Sequence, residues 1–235
     1  MKIVVLENSQ TAAHYAATEI AEAARNTVRE RGLFSLALSG GNSPGPMFSA
    51  LAEQDIPWAK AHIFQADERI VPMESPDRSF AKLRDILLSR VPIPEGNVHP
   101  MPVETDDLEA AAAGYGITLS ETLGTPPVLD LVHLGLGADG HTASLIPGDR
   151  ALAIARRNVA VSGPYERTRR MTLTYPILNR ARAILWLVLG TDKAQILQRL
   201  IEGDTKIPAG LIERSRATIV ADKEAAALLN TRPRG

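Results

Sequence analysis

The chain has 235 residues, 45% of them hydrophobic and 23% charged, the proportions of an ordinary globular protein and not of a disordered or fibrous one. Its 26 basic and 27 acidic residues leave a formal charge of −1, so no global field holds a nucleic acid backbone or an anionic membrane, and any anion must be bound locally. With no cysteine, disulfides, thiolate metal sites and cysteine nucleophiles are excluded.

The opening MKIVVLENSQ is too short an apolar run for a signal segment, and the longest later run, Ala183 to Leu189, is far below the roughly 20 residues that cross a bilayer. A cytoplasmic location is expected. Short β-branched runs alternate with longer amphipathic stretches, which predicts an α/β fold with a mostly parallel sheet flanked by helices. In chain order, Ile3 to Leu6 reads as a strand and Thr11 to Arg31 as a helix stopped by Gly32. Leu33 to Leu38 is the next strand, followed by the turn SGGNSP and a helix from about Pro44 to Ala52. His62 to Ala66 is a strand ending at Asp67-Glu68-Arg69, with a helix from about Phe80 to Ser89 beyond it. The proline-rich VPIPEGNVHPMP is read as a loop with a short strand near Val98, because βα alternation resumes unchanged after it; one domain, residues 1–235, is expected. A helix from Leu108 to Leu123 and a strand from Leu129 to Leu134 precede a second glycine-rich turn, GLGADGH. Strands then fall at Val159 to Ser162, Met171 to Thr174, Ala183 to Leu189 and Thr218 to Val220, with helices near Lys193 to Ile201 and Lys223 to Leu229. One stretch is locally basic: from Arg150 to Arg182 there are eight arginines and one acid, Glu166.

Ligands of parallel α/β sheets lie beyond the carboxyl ends of the strands, so three strand ends stand out. In Ser39-Gly40-Gly41-Asn42-Ser43-Pro44 the glycines let backbone approach a ligand, Ser43 suits an N-cap, Pro44 suits the first helical position, and the free amides can receive a phosphate. No lysine follows the glycines, so this is not a nucleotide loop of the P-loop type. Asp67-Glu68-Arg69 is either a solvated strand end or a set of acid, base and anion-binding groups. Gly135 to His141 satisfies GxGxxG literally, yet Pro147-Gly148 breaks the chain where a dinucleotide fold needs a sustained helix, and the next strand ends without an acid. What remains is a turn presenting Asp139 and His141, a carboxylate able to fix the tautomer of an imidazole that deprotonates water. Amides of the Gly135 to Gly140 turn are expected to stabilise an oxyanion. The other histidines, His14, His62, His99 and His133, are read as structural, and none has metal-ligand spacing with another. Arg169-Arg170 and Lys193, at element boundaries, add cationic groups for an anion.

In this order and spacing, SGGNSP, QADERIVP, SPDRSF, GLGADGHTASLIPG, RRMTLT and LGTDKAQIL resemble the 6-phosphogluconolactonases of the glucosamine-6-phosphate isomerase/6-phosphogluconolactonase family, over nearly the whole chain. That resemblance implies a Rossmann-like fold, no metal or organic cofactor, and hydrolysis of 6-phospho-D-glucono-1,5-lactone in the oxidative pentose phosphate pathway. It implies that Ser39, Gly40, Gly41, Arg69 or Arg170, and Lys193 hold the phosphate, and that His141 acts on water. Asn42-Ser43 stand where the family commonly has Ser-Thr, and Ser79 stands near a common Asn. His141 is expected to be oriented by Asp139 or Asp67. The substrate is a small phosphosugar lactone, with neither nucleic acid nor membrane as partner. The rival readings are an amino-sugar phosphate deaminase or isomerase on the same fold and a sugar-phosphate sensor without turnover. Against the first, the segment after His141 lacks the additional acid of those deaminases; against the second, no DNA-binding module is visible.

Overall fold

The computed structural model describes residues 1–41 and 43–229. Seven strands form a parallel sheet in the order β1 (Lys2–Leu6), β10 (Ala217–Asp222), β9 (Ala183–Val188), β6 (Leu131–Leu134), β2 (Phe34–Leu38), β3 (Ala61–Gln65) and β5 (Val98–His99). From β2 the chain winds outward through β3 to β5, and from β6 it winds the other way through β9 to β10. The reversal leaves a crevice between the carboxyl ends of β2 and β6, where a parallel sheet of this kind receives ligand.

Both faces of the sheet are covered, so its central strands are apolar throughout; every residue of β2 is buried. Phe34, Leu36 and Leu38 pack with α1 (Ser9–Arg31), α2 (Gly45–Ala52) and α3 (Ser79–Ile86) on one face. Val132, Leu134 and Trp186 pack on the other with α4 (Leu108–Leu123), α5 (Tyr175–Leu178) and α6 (Ala194–Glu202). The α1 helix begins with a capping box between Asn8 and Thr11 and ends at Gly32, whose φ of 80° is the left-handed cap that glycine supplies without steric cost.

Three departures from the sequence expectation matter. First, β4 (Asp67–Arg69), β8 (Thr168–Leu173) and β7 (Val159–Tyr165) are not part of the parallel sheet but make a separate antiparallel sheet in the order β4-β8-β7. Second, α2 starts at Gly45 with Pro44 as its N-cap and no side-chain cap, so Ser43 does not cap it. Pro44 and Pro46 carry no amide hydrogen, which moves anion-binding capacity from the helix to the loop glycines. Third, residues 223–229 are successive turns and not a helix. There Asp222 takes the Ala225 amide on its carboxylate at 2.8 Å, and Ala227 and Leu229 donate to carbonyls three residues back, which closes tight turns instead of a helical ladder. Helix α3 also ends earlier than expected, at Ile86, with a 3₁₀ turn at Leu88–Arg90 before Pro92.

Candidate active site

Over the crevice lies a cleft of about 310 Å³ lined by residues from both sheets. Ser39, Gly40, Gly41 and Ser43 reach it from the loop after β2, Asp67 and Arg69 from β4, His141 from the loop after β6, Arg170 from β8, and Lys193 from the turn after β9. Asn42 lies outside the described residues. Asp139 is not in the lining but stands directly behind His141.

The GLGADGH turn is built around the imidazole. Asp139 Oδ1 accepts from the His141 amide at 3.1 Å and lies 2.6 Å from ring Nδ1. Two residues apart, they form one hydrogen-bonded unit on a single turn. Gly137 is required by close approach: a Cβ there would fall 2.1 Å from His141 Nδ1. Its amide donates to the His141 carbonyl and that of Gly140 to the Gly137 carbonyl, each at 2.9 Å, so, contrary to the sequence expectation, these two amides are not available to an oxyanion. No helix follows; Thr142 and Leu145 form an isolated bridge instead, and the dinucleotide pattern is one of letters only. Burial opposes ionisation of Asp139, but the His141 amide, the His141 ring and the Tyr165 hydroxyl together hold its carboxyl below the ordinary value.

Asp67 makes a different contact, accepting from Ser144 Oγ at 2.7 Å. Of the two carboxylates, Asp139 is the one that touches the His141 ring. Strand alternation divides Asp67-Glu68-Arg69: the outer two line the cleft, and Glu68 points away and is fully buried. The Glu68 carboxylate accepts from the amides of Ser79 and Phe80 at 2.9 and 2.7 Å and stands 3.3 Å from Arg78 Nε, tying β4 to the start of α3. That joint brings α3 close enough to the β2 loop that a Cβ on Gly40 would fall 2.3 Å from that of Ser79.

The two arginines are register partners across β4 and β8. Arg69 donates to the Asp77 carbonyl at 3.2 Å; Arg170, 4% exposed, pairs with Glu166 at 3.3 Å and lies over the Tyr165 ring at 5.0 Å. Lys193 pairs with Asp192 at 2.9 Å. Among the described residues no three histidine or acidic side chains converge to hold a metal ion.

Sequence reasoning did not single out Tyr165 or Glu166, and it read His133 as purely structural. His133 is interior, 2% exposed, and its Nδ1 has no hydrogen-bond partner among the described residues, but it also lines the cleft. Burial pushes its pKa down to about 4. An unfolded histidine takes its proton near pH 6.5, so the stability lost on acidification is absent above about 6.5 and grows as pH falls from there toward 4. At pH 5 this one group is expected to cost on the order of 2 kcal/mol. Urea unfolding at pH 7 and pH 5 checks it: His133→Leu should shrink the difference by about that amount, and an undiminished difference would exclude His133 as its source.

A crevice at the switch point of a doubly covered parallel sheet, cationic on its flanks and holding a carboxylate-bound imidazole, belongs to a Rossmann-like α/β fold. The chain belongs to the glucosamine-6-phosphate isomerases/6-phosphogluconolactonase family, whose model matches residues 7–221. It is 40% identical over 200 residues to a 6-phosphogluconolactonase of Synechocystis sp., covering 83% of each chain. Its structure superposes with a TM-score of 0.84 on 6-phosphogluconolactonase from Thermotoga maritima, at 30% identity, covering 94% of this chain and 98% of that one. For 6-phosphogluconolactonase from Trypanosoma cruzi the TM-score is 0.87 at 29% identity, with 97% of both chains covered. No helix among the described residues is long and apolar enough to cross a membrane.

Proposed function

We propose that the chain hydrolyses 6-phospho-D-glucono-1,5-lactone to 6-phosphogluconate, a step of the oxidative pentose phosphate pathway, with His141 as the base that activates water. The observation that carries this reading is the 2.6 Å contact between Asp139 and His141 Nδ1 at the wall of a cationic cleft. A carboxylate on Nδ1 keeps the proton there and leaves Nε2 as the basic nitrogen. Nε2 takes a proton from water, the oxygen attacks C1, the C1–O5 bond breaks, and the imidazolium returns the proton to the departing O5. A lactone is an activated ester, so orientation and one general base suffice without a covalent intermediate.

Asp139 holds the imidazole in this reading, and Asp67, engaged by Ser144, is a partner for a substrate hydroxyl. The loop Ser39 to Ser43 and Lys193 receive the phosphate. Arg170 lies on the Tyr165 ring that also meets His141, so it and its neighbour Arg69 supply positive charge at the reacting end, in place of the internally bonded amides of Gly137 and Gly140. Both sheets serve one cleft, in keeping with a single catalytic domain.

Acid release from freshly prepared phosphogluconolactone, corrected for spontaneous hydrolysis, tests the reading beside ammonia release from glucosamine 6-phosphate. Turnover is expected in the first assay alone; ammonia without acid release would overturn it in favour of a deaminase, and binding without either product in favour of a sensor. Lys193→Ala is expected to raise KM by roughly 10-fold or more with kcat little changed, since a charge-assisted contact to a non-reacting phosphate is made equally in ground and transition states. A fall in kcat at constant KM would remove Lys193 from the phosphate site.

A further inference from the structure

The β7–β8 hairpin ends in a two-residue loop, Glu166-Arg167, with φ of 49° and 70°. Hairpins of this length place both central residues in the left-handed region, where Asn and Gly are the comfortable occupants, and other side chains cost roughly 1–2 kcal/mol each. Neither residue here is of that kind, and the local conflict coincides with contacts made at the cleft. Glu166 is set on Arg170, four residues on, at 3.3 Å. Tyr165, just before the loop, is set between three groups of the candidate site. Its ring meets that of His141 edge-on, with centroids 5.2 Å apart at 64°, and the Arg170 guanidinium lies 5.0 Å from its centroid. Its hydroxyl lies on the side of the Asp139 carboxylate, which holds His141 Nδ1, and helps to lower the pKa of that carboxyl.

We infer that Tyr165 is a positioning residue for the proton transfer: its hydroxyl shares the Asp139 carboxylate with His141 and its ring fixes the imidazole and the Arg170 guanidinium relative to each other. This rests on the reading of His141 as the base. A carboxylate that accepts from a phenol has less negative charge to offer the imidazole, so the Tyr165 hydroxyl tempers the stabilisation of the imidazolium. Removing it strengthens the Asp139–His141 pairing and makes the imidazole harder to deprotonate. The charged and titratable groups around His141 are Asp139 on its own turn, Tyr165 and Glu166 on the hairpin, Arg170 on β8, Asp67 and Arg69 on β4, and Lys193 across the cleft. Of these, Asp139 is the one in hydrogen-bond contact with the ring.

Two variants separate the parts. Tyr165→Phe keeps the ring and loses the hydroxyl; it should move the acid limb of the kcat/KM profile upward by roughly half a pH unit, with KM within about twofold of wild type. Tyr165→Leu loses the ring as well and should also lower kcat, because Arg170 is no longer held at the reacting end. A tyrosine with only a structural role would lower the melting temperature without moving the acid limb in Tyr165→Phe. Superimposable profiles for Tyr165→Phe and wild type would overturn the inference. His141→Asn, assayed in parallel, keeps the two failures distinct: if it retains turnover the assignment of the base fails, and if it is inactive while Tyr165→Phe is unshifted, only the role of Tyr165 does.

Discussion

His141→Ala is expected to lower kcat by about 10²–10⁴-fold, the usual contribution of a positioned general base, while KM stays within a few-fold. The asymmetry follows from where the imidazole stands. Its Nδ1 is taken by Asp139, its ring fills the space that Gly137 leaves, and the anion-holding groups come from other elements. Truncation therefore removes the proton acceptor and leaves the phosphate contacts in place. Steady-state rates of acid release, corrected for the spontaneous reaction, measure it. A variant within threefold of wild type would show that water is activated elsewhere, and Asp67 would be the next group to replace.

The second large effect belongs to a residue outside the cleft. Glu68→Ala is expected to destabilise the fold by on the order of 3–5 kcal/mol, because it leaves the Arg78 guanidinium, 2% exposed, without its counter-charge. The amides of Arg69, Ser79 and Phe80 and the Gln65 side chain lose their acceptor in the same step. A loss of that size approaches the whole stability of many domains, so Glu68→Gln, which keeps one acceptor oxygen, serves as the milder variant. Urea unfolding should order them wild type, Gln, Ala; a loss below about 1 kcal/mol for Ala would mean that water reaches Arg78 and replaces the carboxylate.

Much of this was legible from residues alone. Period-2 and period-3.6 patterns located the parallel strands and, among the described residues, five of the six α-helices, since a strand buried on both faces leaves an apolar run and α1 carries its own stop at Gly32. The residues that line the cleft could be picked out because a parallel sheet directs the loops that follow its strands to one edge. What was hidden depended on contacts distant in sequence. Asp67 and Asp139 are equally plausible partners for an imidazole on paper, and only the fold turns Asp67 toward Ser144. The charged run Asp67-Glu68-Arg69 reads as one group until its pairing with β8 sends Glu68 inward and its neighbours outward. Tyr165 was missed because it sits on a hairpin tip in the second sheet, with nothing local to distinguish it from a surface tyrosine. The segment 223–229 has the composition of a helix, and Asp222 redirects it into turns.

Asp139 and His141 lie within three consecutive residues of one turn, whereas the cations are distributed over two sheets that share no ladder. The carboxylate and the imidazole thus keep their mutual register through the turn itself. The cations keep theirs only while the sheets hold their relative placement, and the Glu68 joint between β4 and α3 is one of the clamps that maintains it.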